Sequence, residues 1–510
     1  MLGMPTKSVL RMAGFGLLLA CHPPAGEGAV RLPGVLSSHM VLQRNRPIHI
    51  WGWSDPGEKV TVAFHGASRE TTGDGLGNWS VFLSPESAGG PYALTVMAGN
   101  RITLDDILVG DVWFASGQSN MEMPLKGFMG APLKNSAEEI AHADQAQIRL
   151  LHIPNKAADF PLRDVDASWT VCSPETAAGF SAVAYFFGRD LAEREHVPIG
   201  LIDSSWGGTV AEAWVSLESI SADAALMPVF ATRAHMMLSQ ADNAAILAME
   251  RREDAAARQA GKKPPSHPWR PDPASWAPAA LFNGMVAPIT PFPIRGVIWY
   301  QGESNSRLSF APMYQRIFSA LIADWRAQWH VGNFPFLFVQ IANFKSNATE
   351  AWAAIREAQR RTLSLANTAM AVTIDIGNPD NVHPADKQTV GARLARAARV
   401  LAYGETVEYA GPMFRQAGPE DGAMRVWFDH ASGLMAKGGS LAGFELAGDD
   451  RKFVSAEARI DGDTVIVRDA GVTAPKYVRY GWANAPVVNL YNSDGLPASP
   501  FTSEDTIPVP

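Results

Sequence analysis

Two short segments of the 510-residue sequence carry the residue types needed for acyl transfer: GQSN at 117–120 and DNVHP at 380–384. The first follows an apolar run, Ile107 to Ala115, and leads into MEMP. A buried strand that opens into Gly, Gln, Ser and Asn sets a serine hydroxyl at the lip of a sheet, beside backbone N–H groups. The second puts Asp380 three residues before His383, just ahead of a helical pattern. Nucleophile, carboxylate and base thus occur in the order Ser119, Asp380, His383, which suits reaction through a serine ester. A free serine hydroxyl is a poor nucleophile at neutral pH and needs a base within hydrogen-bond reach. His383, with a reference pKa of about 6.5, fits that role and the return of the proton to the leaving oxygen. On this reading kcat/KM rises with pH through the ordinary histidine range. Asp380 is expected to hold the imidazole tautomer and stabilise the imidazolium. Among the 12 histidines, His383 is set apart by the Asp380 spacing, by Pro384 and by its place after an apolar strand.

These residues need a scaffold, and the hydrophobic pattern supplies one. Residues 30–105 read as β-structure: Lys59 to His65 alternates Val60, Val62 and Phe64 on one face. Trp79–Leu83 and Tyr92–Met97 are further strands, with Gly-rich turns such as GDGLGN at 73–78 between them, a spacing that suits a small sandwich. From Ile107 the pattern turns to apolar strands alternating with helices. Strands are expected at Ile107–Ala115, Ile148–Ile153, Ile199–Asp203, Gly296–Tyr300, Phe334–Ile341 and Met370–Asp375. Helices are expected near 180–195, 310–329, 350–365 and 385–402. That alternation implies a mostly parallel sheet covered on both faces. Beyond about 405 strands return, as at Thr464–Arg468 and Lys476–Tyr480. Residues 217–280 break the rhythm with an Ala-rich helical segment and the Pro-rich KKPPSHPWRPDP at 262–273. This insertion reads as a surface excursion, or as a rim whose Trp269 and Trp276 reach a sugar.

Composition narrows the class. The chain is 47% hydrophobic and 18% charged with a formal net charge of -8, and it has no basic stripe, which argues against a nucleic-acid partner. No zinc-ligand spacing or Walker-type phosphate loop occurs, and the expected chemistry needs no cofactor and no metal. Lys7 and Arg11 precede a short apolar stretch, Met12 to Ala20, too short to span a bilayer. Residues 1–21 therefore read as an export signal, either an ordinary one or a lipoprotein signal with a lipid anchor on Cys21. Cys172 is the other of the 2 cysteines, so an internal disulfide framework is not expected.

The blocks GDVWFASGQSNMEMP (110–124), SSWGGTVAEAW (204–214), IWYQGESN (298–305) and DNVHP (380–384) resemble the sialate O-acetylesterase group of the SGNH hydrolase superfamily. The similarity extends to LFNGMVAPI at 281–289 and NLYNSDGLPASPF at 489–501, and so to nearly all of the chain after the signal. The resemblance implies a flavodoxin-like α/β/α SGNH hydrolase domain with N- and C-terminal accessory β-domains. The expected division is a signal over 1–21, a β-sandwich-like domain over 30–105, a catalytic domain over 106–405 and a C-terminal β-domain over 406–510. The resemblance also implies an oxyanion hole built from the N–H of Ser119, a glycine of the second block and a donor of the third. Gly208 is the expected glycine, with Gly207 the alternative. The third block lacks the Gly-x-Asn-Asp of the wider superfamily, and similarity to the sugar-acetylesterase branch puts the Gln301 amide there, with Asn305 competing. Glu303 and Glu122 are expected to anchor loops, and Asn120 to support the nucleophile. Of Trp206, Trp214, Trp299 and Tyr300, most should be packing and one or two could stack on a pyranose.

The function this implies is removal of O-acetyl groups from carbohydrates, either acetylated sialic acid or acetylated plant polysaccharide, through an acetyl-serine. A carbohydrate-binding protein on the same scaffold without turnover is the alternative. A glycosidase is disfavoured because no carboxylate pair for that mechanism comes with the resemblance.

Overall fold

The apolar run at 107–115 lies inside one long strand, Arg101–Gly117, buried without interruption from Ile107 to its end. Unbroken burial is what a central parallel strand requires, because both faces are covered. The computed structural model describes residues 29–231, 241–265, 267 and 272–508. The signal segment with Cys21, and Trp269 in the Pro-rich stretch, lie outside the described residues.

Seven strands form the path of the central sheet, in the order Thr368–Ala371, Phe336–Val339, Gly296–Tyr300, Arg101–Gly117, Ile199–Ser205, Gln145–His152 and Thr170–Cys172. Every neighbouring pair is parallel except the last, so the sheet is mixed. The apolar strands expected from the sequence are all present with shifted ends. The largest difference is at Met370–Asp375, where pairing stops at Ala371 and the chain leaves the sheet early towards His383. Helices Ala182–Glu195, Tyr314–Trp329, Trp352–Thr362 and Lys387–Leu401 cover the sheet close to the expected positions.

The N-terminal half of the long strand pairs antiparallel with Gly89–Met97, which pairs with Lys59–Phe64. One hydrophobic core therefore runs from these strands into the central sheet, with Val62 and Leu94 in the same cluster as Phe114 and Leu337. A separate core gathers Val426, Val465, Tyr480 and Phe501 between C-terminal antiparallel strands. Within the insertion, helix Ala241–Gln259 is followed by a short turn, Pro273–Trp276, that brings Trp276 back against the sheet's end.

Two contacts in one row fix the site. Gly117 is opposite Ser205 on one side and Tyr300 on the other, so three strands end level. Gly117 has φ +141°, and a Cβ there would stand 2.2 Å from the Tyr300 carbonyl oxygen. Only glycine tolerates both that backbone and that approach. Gly117→Ala is therefore expected to lower stability by about 2 kcal/mol or more, measured by denaturant unfolding; an unchanged midpoint would contradict this close packing.

Candidate active site

The three level strand ends run directly into the three motifs. Gln118 follows Gly117 and donates its N–H to Tyr300 O at 3.0 Å, while Trp206 donates its N–H to Gly117 O at 3.0 Å. After Gln118 the chain turns at once into the four-residue helix Ser119–Glu122, which lifts the Ser119 side chain to the carboxyl edge of the sheet. Crevices outside the carboxyl ends of parallel strands are where open α/β sheets bind ligands.

His383 reaches the same point from the far edge. Its loop leaves the sheet after Ala371 and ends in helix Lys387–Leu401, capped by Asp386 accepting from the Thr389 N–H at 3.0 Å. The His383 N–H donates to Asn381 Oδ1 at 2.9 Å, and the Phe128 ring packs edge-on against the imidazole at 5.3 Å. His383 Nε2 stands 2.9 Å from Ser119 Oγ, a hydrogen-bonded pair between residues 264 apart in sequence.

The structure does not bring Asp380 to this pair. Its carboxylate, 78% exposed, takes the Lys345 ammonium at 3.0 Å, and among the described residues no carboxylate meets His383 Nδ1. The three-residue spacing in a loop leaves the side chain free to turn to solvent, where the lysine attracts it.

The expected oxyanion donors divide as well. Gly208 has φ +73° and its carbonyl is held by Trp276 Nε1 at 2.8 Å. Among the described residues the N–H groups of Ser119 and Gly208 have no hydrogen-bond partner. The Gly207 N–H is spent on Glu122 Oε2 at 2.7 Å, and Glu122 Oε1 accepts from Asn155 at 3.2 Å. Burial pushes the Glu122 carboxyl up from its ordinary range.

Gln301 is fully buried, and its amide donates to Thr209 O at 3.2 Å and Asn305 Oδ1 at 2.7 Å, away from the cavity. Asn305 is equally committed, accepting from the Ala211 N–H at 2.9 Å and donating to Glu212 at 2.8 Å. Both side chains lock the second block to the third because polar groups with no water must pair with each other. The amide that does face the cavity is Gln118, a residue sequence reasoning passed over inside its own motif. Its oxygen accepts from the Gly302 N–H at 3.4 Å and the Ser304 N–H at 3.2 Å, which turns the NH₂ the other way.

The cavity above Ser119 and His383 has a volume of about 650 Å³ and is lined by Phe128, Trp206, Trp276, Phe344 and Trp352 together with Glu122, Glu303, Glu350 and Arg307. Of the aromatics marked in the motifs only Trp206 reaches it. Trp214, Trp299 and Tyr300 are buried in the core, the two indoles edge-to-face at 6.0 Å. Trp276 makes the insertion part of the rim. Phe344, Trp352 and Arg307 carry no local signal in the sequence, since they belong to loops and a helix start brought in only by folding.

Comparison with known proteins gives the family of the chain. Residues 272–399 match the family described as carbohydrate esterase, sialic acid-specific acetylesterase. The sialate O-acetylesterase of Rattus norvegicus is 30% identical over 96% of this chain and 97% of its own length. The chain belongs to the sialate O-acetylesterase family. The Homo sapiens sialate O-acetylesterase is 32% identical over 78% of this chain and 76% of its own. A solved carbohydrate acetylesterase from Xanthomonas citri superposes with a TM-score of 0.81 at 38% identity, covering 94% of this chain and all of that one. Membership in this family makes the chain an esterase.

Burial, and next the charge of Lys387, push the His383 imidazole down to about 4. The expectation of a titration in the ordinary histidine range took no account of this burial. A base acts only when neutral, so activity is lost as pH falls through its pKa, and kcat/KM reports the free enzyme. The profile of kcat/KM is therefore expected to be flat from about pH 5 to 8, with its acid limb below the unperturbed histidine value of about 6.5. A midpoint between 6 and 7 in initial-rate measurements, on the order of the unperturbed value, would show that burial does not control this histidine.

Proposed function

We propose that the protein removes O-acetyl groups from carbohydrates through an acetyl-serine. The observation that carries this reading is the 2.9 Å contact between Ser119 Oγ and His383 Nε2 at the floor of an aromatic cavity. Ser119 Oγ attacks the acetyl carbonyl carbon as its proton passes to His383 Nε2. The resulting oxyanion is received by the N–H groups of Ser119 and Gly208 and by the Gln118 NH₂. When the C–O bond to the sugar breaks, His383 returns the proton to the departing sugar oxygen. Water then attacks the acyl carbon, gives its proton to His383, and acetate leaves as Ser119 regains its own. A cavity of this size falls in the range of about 300–1,000 Å³ usual for small-ligand sites, and flat rings on its walls suit pyranose faces.

Asp380 enters this scheme as the carboxylate that stabilises the imidazolium. Its bond to Lys345 is an exposed ion pair, and such pairs are worth only about 0–1 kcal/mol. Exchanging it for a charged imidazole therefore costs little at the moment when the positive charge forms. The same reading gives the chain an SGNH-type catalytic domain over 106–405 flanked by β-domains over 30–105 and 406–510, and an export signal at 1–21. Acetylated sialic acid and acetylated plant polysaccharide both fit an ester site of this kind. Acetate release measured across acetylated sialosides, xylan and xyloglucan separates them, and release from none of these would reject the carbohydrate substrate.

Ser119→Ala and His383→Ala are each expected to lower kcat by roughly 10³-fold or more, the double variant adding little because the two act as a unit. Near-parental turnover by either variant would reject the mechanism. Asp380→Asn is expected to reduce kcat by about 10²-fold or more, whereas Lys345→Ala leaves it within about twofold. Gln118→Ala should lower kcat by about 10²-fold with little change in KM. Gln301→Ala should act on thermal stability, through the buried groups it leaves unpaired. Reversed results for the two glutamines would return the third donor to Gln301.

A further inference from the structure

Asn120, the residue after Ser119, bonds a buried lysine that the reaction scheme does not use. Lys387, the first residue of helix Lys387–Leu401, is fully inaccessible to solvent. Its ammonium donates to Asn120 Oδ1 and stands 5.3 Å from the centre of the Tyr300 ring. Asn120, also buried, sends its amide to Glu303 Oε1 at 2.6 Å and to the Val382 carbonyl at 3.0 Å. One side chain thus joins the residue after the nucleophile, the residue before the base, a buried ammonium and a buried carboxylate.

The arrangement is costly, which argues that it has a use. An ammonium and a carboxylate out of water each carry a desolvation penalty of several kcal/mol, and here an amide separates them. Burial pushes Lys387 down to about 7 against the opposing pull of Glu303 and Asp386, and pushes the Glu303 carboxyl up. The ammonium stands over the Tyr300 ring of the sheet, and the titratable groups that interact with it are Glu303 of the third block, Asp386 of the helix cap and His383 of the loop. Of these only His383 is a base that becomes positive during turnover.

We propose that Lys387 is a positioning residue of the hydrolytic site, which sets the Ser119–His383 distance through Asn120 and by its charge keeps the resting imidazole neutral. The two effects are separable. Asn120 ties helix Ser119–Glu122 to the His383 loop through the Val382 carbonyl, and the ammonium on its oxygen holds the amide in that orientation, so that the hydroxyl and imidazole hold their contact. The charge disfavours a second cation on His383 in the free enzyme, leaving the base ready to accept the serine proton in mildly acidic surroundings.

This inference rests on the reading of Ser119 and His383 as the reacting pair, and the experiment keeps the two apart. Lys387→Met removes both the donor and the charge, Lys387→Gln keeps a donor without the charge, and Asn120→Ala breaks the bridge without removing the charge. With p-nitrophenyl acetate as probe, Lys387→Met is expected to move the acid limb of kcat/KM upward by about one pH unit and to lower plateau kcat roughly tenfold, with KM little changed. Lys387→Gln should show the same shifted limb with most of the plateau restored. Asn120→Ala should lose plateau kcat and keep the parental limb. Acid limbs of both Lys387 variants coincident with the parental one would overturn the proposal. If Lys387→Met fails to fold, the acid limb of Lys387→Gln decides alone: a limb shifted upward supports the proposal and one coincident with the parental limb overturns it. Retained turnover in Ser119→Ala would instead defeat the underlying reading of the site.

Discussion

The pairing of Gly117 with Ser205 and Tyr300 in a single row of the parallel sheet is the constraint on which the site depends. Three chain segments leave the sheet at the same height there, and each carries residues of the candidate site. The nucleophile turn follows the first, the Trp206–Gly208 loop the second, and the Gln301–Asn305 block the third. Side chains alternate faces along a strand, so a slip of one residue would turn each motif away from the other two. Gly117 holds the register because nothing larger fits beneath the Tyr300 carbonyl, and the hydrogen bonds of Gln118 and Trp206 across the strand ends close the row.

Below that row the structure replaces water with paired polar groups. Gln301, Asn305, Glu212 and Thr209 bond to one another, and Asn120 is shared among Lys387, Glu303 and Val382. Networks of this kind specify a single arrangement when every member is satisfied, because any other packing leaves a buried group without a partner. The cavity walls come from loops and from the insertion, with contacts such as Trp276 Nε1 on Gly208 O and Trp352 Nε1 on Glu350 at 2.9 Å.

Helix Trp352–Thr362 supplies several of the bonds that tie the C-terminal strands to this scaffold. Arg356, buried in Trp352–Thr362, donates to Ile341 O at 3.1 Å and to the carbonyls of Ala483 and Asn484. Gln340 reaches Ser499 at 2.8 Å, and Arg361 reaches Glu504 O at 2.6 Å. The helix that presents Trp352 to the cavity is thus clamped on its other side by the last part of the chain. A guanidinium forms several directed bonds from one planar group, which suits it to join backbone segments that share no strand pairing.

The sequence by itself determined the elements and marked the two residues, Ser119 and His383, that the fold brings into contact. Continuous apolar runs mark strands buried on both faces, so Gly296–Tyr300 and Ile199–Ser205 were legible without any contact being known. Ser119 and His383 were legible because each lies in a short motif whose residue types have few other uses together. What the motifs could not disclose was direction. Gln118 and Gln301 are the same residue type, each one position beyond a strand end, and tertiary packing alone turned one amide to the cavity and the other into the core. Asp380 kept its spacing to His383, yet an exposed loop let Lys345 take its carboxylate. Lys387 reads locally as an ordinary basic residue at a helix start, and its burial against Asn120 and Tyr300 appears only when helix, loop and sheet meet. Periodicity and residue chemistry are local, whereas desolvation and hydrogen-bond choice depend on neighbours hundreds of residues away, and these set how each side chain of the site is used.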